Sequence, residues 1–266
     1  MNCLVTKLKS SVTDANLPYF NKIRIKGTGS ESSISISNGG KVKITSEINT
    51  AIIFGETRHE LPYETETSTL NIKAVEGEVL DIFISGDIKT IATNCSIEGN
   101  NLSLSQFNVT SVNCYEVNIN TNMLKYNSTI TDLTVSGTGR LKGYFEDLKE
   151  TALKEITCTQ GNECRGDIRL IAKEDITYIS MPNSIYAYGN IEDFGNCLNL
   201  TDLYFSNSKD VYGDINRLAT AQYQNGRNSG TLKVLVSGTG CINSKGTGLR
   251  VNINFTTSGF TITASD

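Results

Sequence analysis

The chain holds one histidine, His59, set in a polar stretch beside Glu56 and Glu60. Its being the only histidine argues against Ser-His-Asp, Cys-His and multi-histidine metal chemistry together, and it reads as an ordinary surface loop residue. The seven cysteines (Cys3, Cys95, Cys114, Cys158, Cys164, Cys197 and Cys241) form no CxxC, and the closest pair, Cys158 and Cys164, has no histidine nearby. An odd set without ligand spacing predicts free, buried thiols of a reducing compartment rather than a zinc site or a disulfide framework. Carboxylates are plentiful, and a glycosidase needs only two of them. No cluster joins acidic to aromatic residues along a groove, so a carbohydrate-active hydrolase ranks third among the readings. Three Gly-Thr-Gly segments resemble phosphate loops only superficially, because Lys142, Ser32 and Asn243 stand where GxGxxG needs its last glycine. They read as turns. The expectation is a protein that is not an enzyme and uses no cofactor and no metal.

What remains is a binding surface presented by the chain's regular elements. The chain has 266 residues, 38% of them hydrophobic and 20% charged, with 23 Gly, 3 Pro and no Trp. That profile favours short strands and many turns. A net charge of −4 removes the uniform attraction to phosphate on which nucleic-acid binding rests. No run of 18 apolar residues predicts a membrane span. The opening MNCLVTKLKS lacks the apolar stretch of a secretory signal, so no signal peptide is expected.

Residues 20–85 alternate apolar and polar side chains, as in Ile23-Arg-Ile25, Val42-Lys-Ile44 and Ile82-Phe-Ile84. Period two means strands with one buried face. Asn38-Gly39-Gly40 and Glu76-Gly77-Glu78 suit tight hairpin turns, while residues 56–67 read as a polar loop. The fold class expected is mainly β: an antiparallel β-sandwich or barrel module over residues 1–85, then a leucine-rich-repeat solenoid over 86–236, clearest in 130–236, closed by a β-hairpin cap over 237–266.

The repeat is visible from its glycines. Gly143, Gly166, Gly189 and Gly213 follow one another at intervals of 23, 23 and 24 residues. Between them recurs an apolar-x-x-apolar-x-φ string, where φ is usually apolar: Ile130-Thr-Asp-Leu133-Thr-Val135, Leu153-Lys-Glu-Ile156-Thr-Cys158, Ile176-Thr-Tyr-Ile179-Ser-Met181, Leu200-Thr-Asp-Leu203-Tyr-Phe205 and Leu232-Lys-Val-Leu235-Val-Ser237. A fixed period in the low twenties with this string marks stacked units, each giving one strand to a parallel ladder. Upstream, Leu104-Ser-Gln-Phe107-Asn-Val109 fits, but 26 residues before Ile130, so the phase drifts there. Residues between Ala219 and Thr231 read as an insertion in the last unit. The repeat glycines are expected at corners of positive φ or close crossing.

Residues 176–208 carry Pro182-Asn183-Ser184, Gly189, Phe194, Cys197 and Leu200-Thr-Asp-Leu203 in the order of the BspA-type leucine-rich repeat, which this run resembles. Neighbouring units keep the period but lose the Pro, Cys or Phe. Proteins of that family adhere to host molecules. The opening MNCLVTKLKSSVTDANLP and the strand-then-GTG segments at 23–29, 133–139 and 234–240 also resemble proteins of phages and prophages of gut Bacteroidetes. Together these resemblances imply a phage virion component, such as a fibre, tail or capsid-associated protein, made in the host cytoplasm. Its implied partners are other virion proteins, itself in a homo-oligomer such as a trimer, or a cell-surface glycan or protein. A bacterial surface adhesin is the alternative.

Side chains between the buried positions of the ladder must point to the opposite face. Glu155, Thr157, Tyr178, Ser180, Asp202 and Tyr204 are thus expected to form one patch of about 10 Å across adjacent strands. That suits a sugar or two or a short peptide edge, with tyrosine rings as contact surfaces and Asp202 as an acceptor. The competing reading is that they are solvated sheet residues, or pack against another copy of the chain.

Overall fold

Alternation becomes strand pairing wherever one face can be buried. The computed structural model describes residues 21–27, 32–37, 40–46, 50–53, 58–84, 88–98, 104, 107–160 and 162–265. Its first ten strands are β1 (Asn21–Lys26), β2 (Ser32–Ser37), β3 (Lys41–Ser46), β4 (Thr50–Ile53), β5 (Arg58–Glu60), β6 (Tyr63–Glu66), β7 (Thr69–Ala74), β8 (Val79–Ile84), β9 (Thr90–Thr93) and β10 (Ser96–Glu98). They pair antiparallel in two sets, β10-β1-β8-β3-β6 and β9-β2-β7-β4-β5. Ile23, Ile25, Val42, Ile44, Leu80 and Ile82 of the first set and Ile36, Leu70, Ile72 and Ile91 of the second belong to one buried cluster.

Two hairpin expectations fail here for one reason. β2 pairs with β7 and β9, whereas β3 pairs with β6 and β8, so the strands flanking residues 38–40 do not form a hairpin; Asn38 and Gly39 lie outside the described residues. Glu76 and Gly77 do make a turn, with Gly77 at φ +77°, yet β7 and β8 also belong to different sets. Turn residues report that the chain reverses, not which strand it then pairs with. Residues 56–67, expected as loop, contain β5 and β6. β6 is an edge strand, so Glu64 and Glu66 point into solvent, and Lys43 lies 3.1 Å from Glu64. Half-solvated edges tolerate a polar composition that reads as loop.

The second half adds β11 (Ser111–Tyr115), β12 (Ile119–Asn120), β13 (Asp132–Ser136), β14 (Leu141–Tyr144), β15 (Glu155–Cys158), β16 (Glu163–Asp167), β17 (Tyr178–Ser180), β18 (Ala187–Asn190), β19 (Asp202–Tyr204), β20 (Asp210–Asp214), β21 (Thr231–Leu235), β22 (Gly240–Ile242), β23 (Arg250–Thr256) and β24 (Gly259–Ala264). Odd strands β9 to β21 run parallel in sequence order, with Ile91, Val112, Leu133, Ile156, Ile179, Leu203 and Val234 side by side. β9 therefore belongs to both halves, antiparallel to β2 and parallel to β11. Even strands β12 to β22 form a second parallel ladder. Short 3-10 turns follow it at Thr121–Met123, Phe145–Leu148, Ile168–Ile171 and Ile191–Asn196, and helix α1 (Ile215–Gln224) occupies the same place in the last unit.

Register corrects the repeat at both ends. Ile88 and Val109 are the buried residues three before Ile91 and Val112, as Ile130 is before Leu133. The early period is thus 21, not 23, and Val109 opens its unit rather than closing it. In the last unit Val234 aligns with Leu203, which places Leu235 beside Tyr204 on the outward side. A run of Leu232, Val234 and Val236, all buried, let the string slip by one residue.

The repeat glycines lie in β14, β16, β18 and β20 of the second ladder, with φ of +109°, +116°, +130° and +124°. A Cβ on Gly189 would meet Asp167 Oδ1 at 2.7 Å, the oxygen that caps the preceding 3-10 turn by accepting from Arg169 N at 2.9 Å. Both backbone sign and space therefore exclude a side chain. The Gly137-Thr and Gly238-Thr turns have φ of +64° and +73° at their glycines.

What reads as an insertion is α1 and its tail. Arg227, only 6% exposed, donates to Leu200 O (2.7 Å), Gln222 Oε1 (2.8 Å) and Thr231 O (3.1 Å) and covers the Phe255 ring. β23 then pairs antiparallel with β21, and β24 with β23. Among the described residues no helix is long and apolar enough to cross a membrane.

Candidate functional site

Parallel pairing stacks equivalent positions of successive units. Glu155 pairs with Tyr178 and Tyr178 with Asp202; Thr157 pairs with Ser180 and Ser180 with Tyr204. All six expected residues share the face opposite buried Ile156, Ile179 and Leu203. Glu155 is exposed and the other five are half-buried.

Two tyrosines give this patch its shape. The Tyr178 and Tyr204 rings meet edge to face, with centroids 6.3 Å apart and planes at 72°. Tyr204 donates its hydroxyl to Asp202 Oδ1 at 2.8 Å. Burial of the ring, followed by the hydrogen bond and charge of Asp202, pushes the Tyr204 phenol up to about 12. It stays a neutral donor in any ordinary buffer. With Tyr204 already satisfied by Asp202, a ligand hydroxyl would meet the remaining acceptor capacity of the carboxylate and the flat ring of Tyr178.

The face continues beyond the expected patch. Asp202 and Tyr204 are flanked by Lys233 and Leu235 of β21, then by Asn252 and Arg250 of β23. On the other side Glu155 and Thr157 are flanked by Asp132 and Thr134. One row therefore runs Asp132, Glu155, Tyr178, Asp202, Lys233 and Asn252, with three carboxylates before a single ammonium. Sequence reasoning missed Lys233 and Leu235 because of the slipped frame. Arg250 and Asn252 were legible in the alternation of Leu249-Arg-Val-Asn-Ile-Asn-Phe255.

A second surface was not anticipated. Tyr144, Tyr186, Tyr188, Tyr212 and Ile242 are 42–60% exposed on or beside the even-strand ladder, and the Arg165 guanidinium lies 4.2 Å from the Tyr186 ring centre. Arg165, Tyr188 and Tyr212 each precede a repeat glycine, a signal that was present in the repeat. A shallow hollow by the 3-10 turns holds Lys125 3.5 Å from Asp147, which also accepts from Thr121 Oγ1 at 3.0 Å.

The six described thiols are packing groups. Cys114 and Cys158 fill inward positions of the odd ladder and Cys164 and Cys241 of the even one. Burial raises Cys95 and Cys241 to about 11 and Cys114, Cys158 and Cys197 to about 12, and pushes Cys164 up as well. Neutral thiols so placed are poor nucleophiles and poor metal ligands. The backbone of His59 lies in β5, paired with Ala51. Among the described residues no group of three or more His, Cys, Asp or Glu is placed to hold a metal ion.

No protein-family model, curated protein or solved structure matches the chain.

Proposed function

We propose that the chain is a leucine-rich-repeat solenoid, capped by an antiparallel sandwich at one end and a hairpin at the other, that works by binding rather than catalysis. Its contact surface is the outward face of the odd-strand ladder, centred on Tyr178, Asp202 and Tyr204. The observation that carries this reading is the diagonal placement, on adjacent strands, of two mutually braced tyrosines with Asp202 in register with Tyr178 and bonded to Tyr204. Rigid aromatic surface with an adjacent hydrogen-bonding group is what protein edges and sugars both use.

The setting proposed is a phage virion, as a fibre, tail or capsid-associated component that touches a partner virion protein or a cell-surface glycan. Support for it comes from the resemblance of the 176–208 unit and of the strand-then-GTG segments. The test is a Tyr178→Ala, Tyr204→Ala double variant, incorporated into particles and applied to host cells and to purified surface polysaccharide. Loss of incorporation supports a virion-protein contact, and loss of adsorption by intact particles supports a cell-surface contact. Unchanged incorporation and unchanged adsorption, with the fold retained, would remove this face. Mass spectrometry of purified virions tests the setting itself, which fails if the chain is absent from them.

A further inference from the structure

Sheet edges present backbone donors and acceptors, and proteins usually guard them with charge, proline or brevity. The other ends of these sheets follow that rule: β5 is short and carries Glu60, β6 carries Glu64 and Glu66, and β10, β12 and β22 are short. β24 does not. From Asn252 to Ser265 there is no charged residue and no proline, and among the described residues no strand pairs the outer side of β24.

The direction of its free groups follows from the hairpin. Ser265 N donates to Arg250 O at 3.0 Å, and bond-exchanging pairs alternate along an antiparallel ladder. Thr261 and Thr263 thus bond inward to Asn254 and Asn252, while Phe260, Ile262 and Ala264 direct their N–H and C=O outward. Phe260 and Ile262 also pack against the core side of the sheet, and Thr261 and Thr263 lie on the face of Asn252 and Lys233.

We propose that β24 is the seam of a homodimer in which two copies pair antiparallel about Ile262. This register sets Ile262 opposite its own copy, Phe260 opposite Ala264 and Thr261 opposite Thr263. Apolar side chains then meet on the core side and threonines on the other, and the outward-bonding residues face one another. A two-fold axis through Ile262 runs perpendicular to the sheet, so the odd-ladder faces of both copies open on the same side. The contact is narrow, so the dimer is expected to dissociate on dilution. The seam does not depend on what the ladder face binds.

The test is sedimentation of the full chain from about 1 to 100 µM, a range in which micromolar association is visible. Thr261→Lys with Thr263→Lys places like charges opposite across the axis; Thr261→Lys with Thr263→Glu places opposite charges there. Both positions are exposed, and circular dichroism checks that each variant folds. The expected result is a concentration-dependent dimer for the parent, a monomer for the first variant and a dimer for the second. Ala264→Pro, which removes an outward N–H while leaving the inward bonds of β24, should also give a monomer. A monomeric parent at the highest concentration, a dimer untouched by the lysine pair, or equal dissociation of both double variants would overturn the proposal.

Discussion

At Gly189 the conformational and spatial demands can be separated by experiment. Gly226 also has positive φ, +104°, but a Cβ there meets nothing within 4 Å. Alanine at either site incurs backbone strain of about 1–3 kcal/mol, and only Gly189→Ala also displaces the Asp167 cap. Urea titration should find Gly189→Ala the less stable of the two. Combining it with Asp167→Ala, which alone loses about 1 kcal/mol of capping, should cost less than the sum of the single changes. Additive losses would mean that the Asp167 oxygen is not what the glycine accommodates. Tyr204 permits a test by pH. Its folded value, about 12, lies above the ordinary 10.0. It therefore contributes stability that is complete below pH 10 and is lost as pH rises from about 10 towards about 12. Tyr204→Phe should flatten the alkaline fall of the urea midpoint across that window; an unchanged slope would show that another group governs it.

Elements were legible where a strand or turn repeats in phase and illegible where pairing is chosen at a distance. The strings from Ile130 to Phe205 gave ladder strands in the expected order, and with them the face holding Tyr178 and Tyr204. β2 and β3, only a few residues apart, went to different sheets because each needed a partner for its apolar face, and no local residue type states which partner that will be. β6 was hidden by glutamates that an edge strand can leave in water. The units opening at Ile88 and Val109 were hidden by their shorter spacing and by Thr121 near where a later unit has its glycine. α1 and Arg227 were hidden inside what reads as an insertion. Arg227 is the clearest element-scale test, since its fork joins Leu200 O, Gln222 Oε1 and Thr231 O. Arg227→Ala should destabilise the chain by about 2–3 kcal/mol, because buried acceptors are left without donors. Arg227→Lys should recover little of this, since an ammonium cannot reproduce the planar fork. Full recovery by lysine would assign the effect to charge alone.

Across the whole molecule, one buried cluster extends from Ile23 to Phe255, and β9 is shared by the antiparallel and parallel regions. Nearest-neighbour coupling of this kind makes adjacent units protect one another. Native-state hydrogen exchange should therefore find the amides of β9 among the most protected, and a fragment of residues 86–266 should lose that protection first in β9 and β11. Equal protection of these strands in fragment and full chain would mean that the antiparallel region adds nothing to the ladder.

Between β9 and the closing hairpin, each turn of chain advances the odd ladder by one interstrand step of about 4.8 Å. The aligned column Leu133, Ile156, Ile179 and Leu203 repeats without a change of register. Length along the ladder is thus counted in whole strands, as divisions on a ruler. Excising residues 153–175 would bring Leu133 beside Ile179, shorten the ruler by one division, and leave both end pieces untouched.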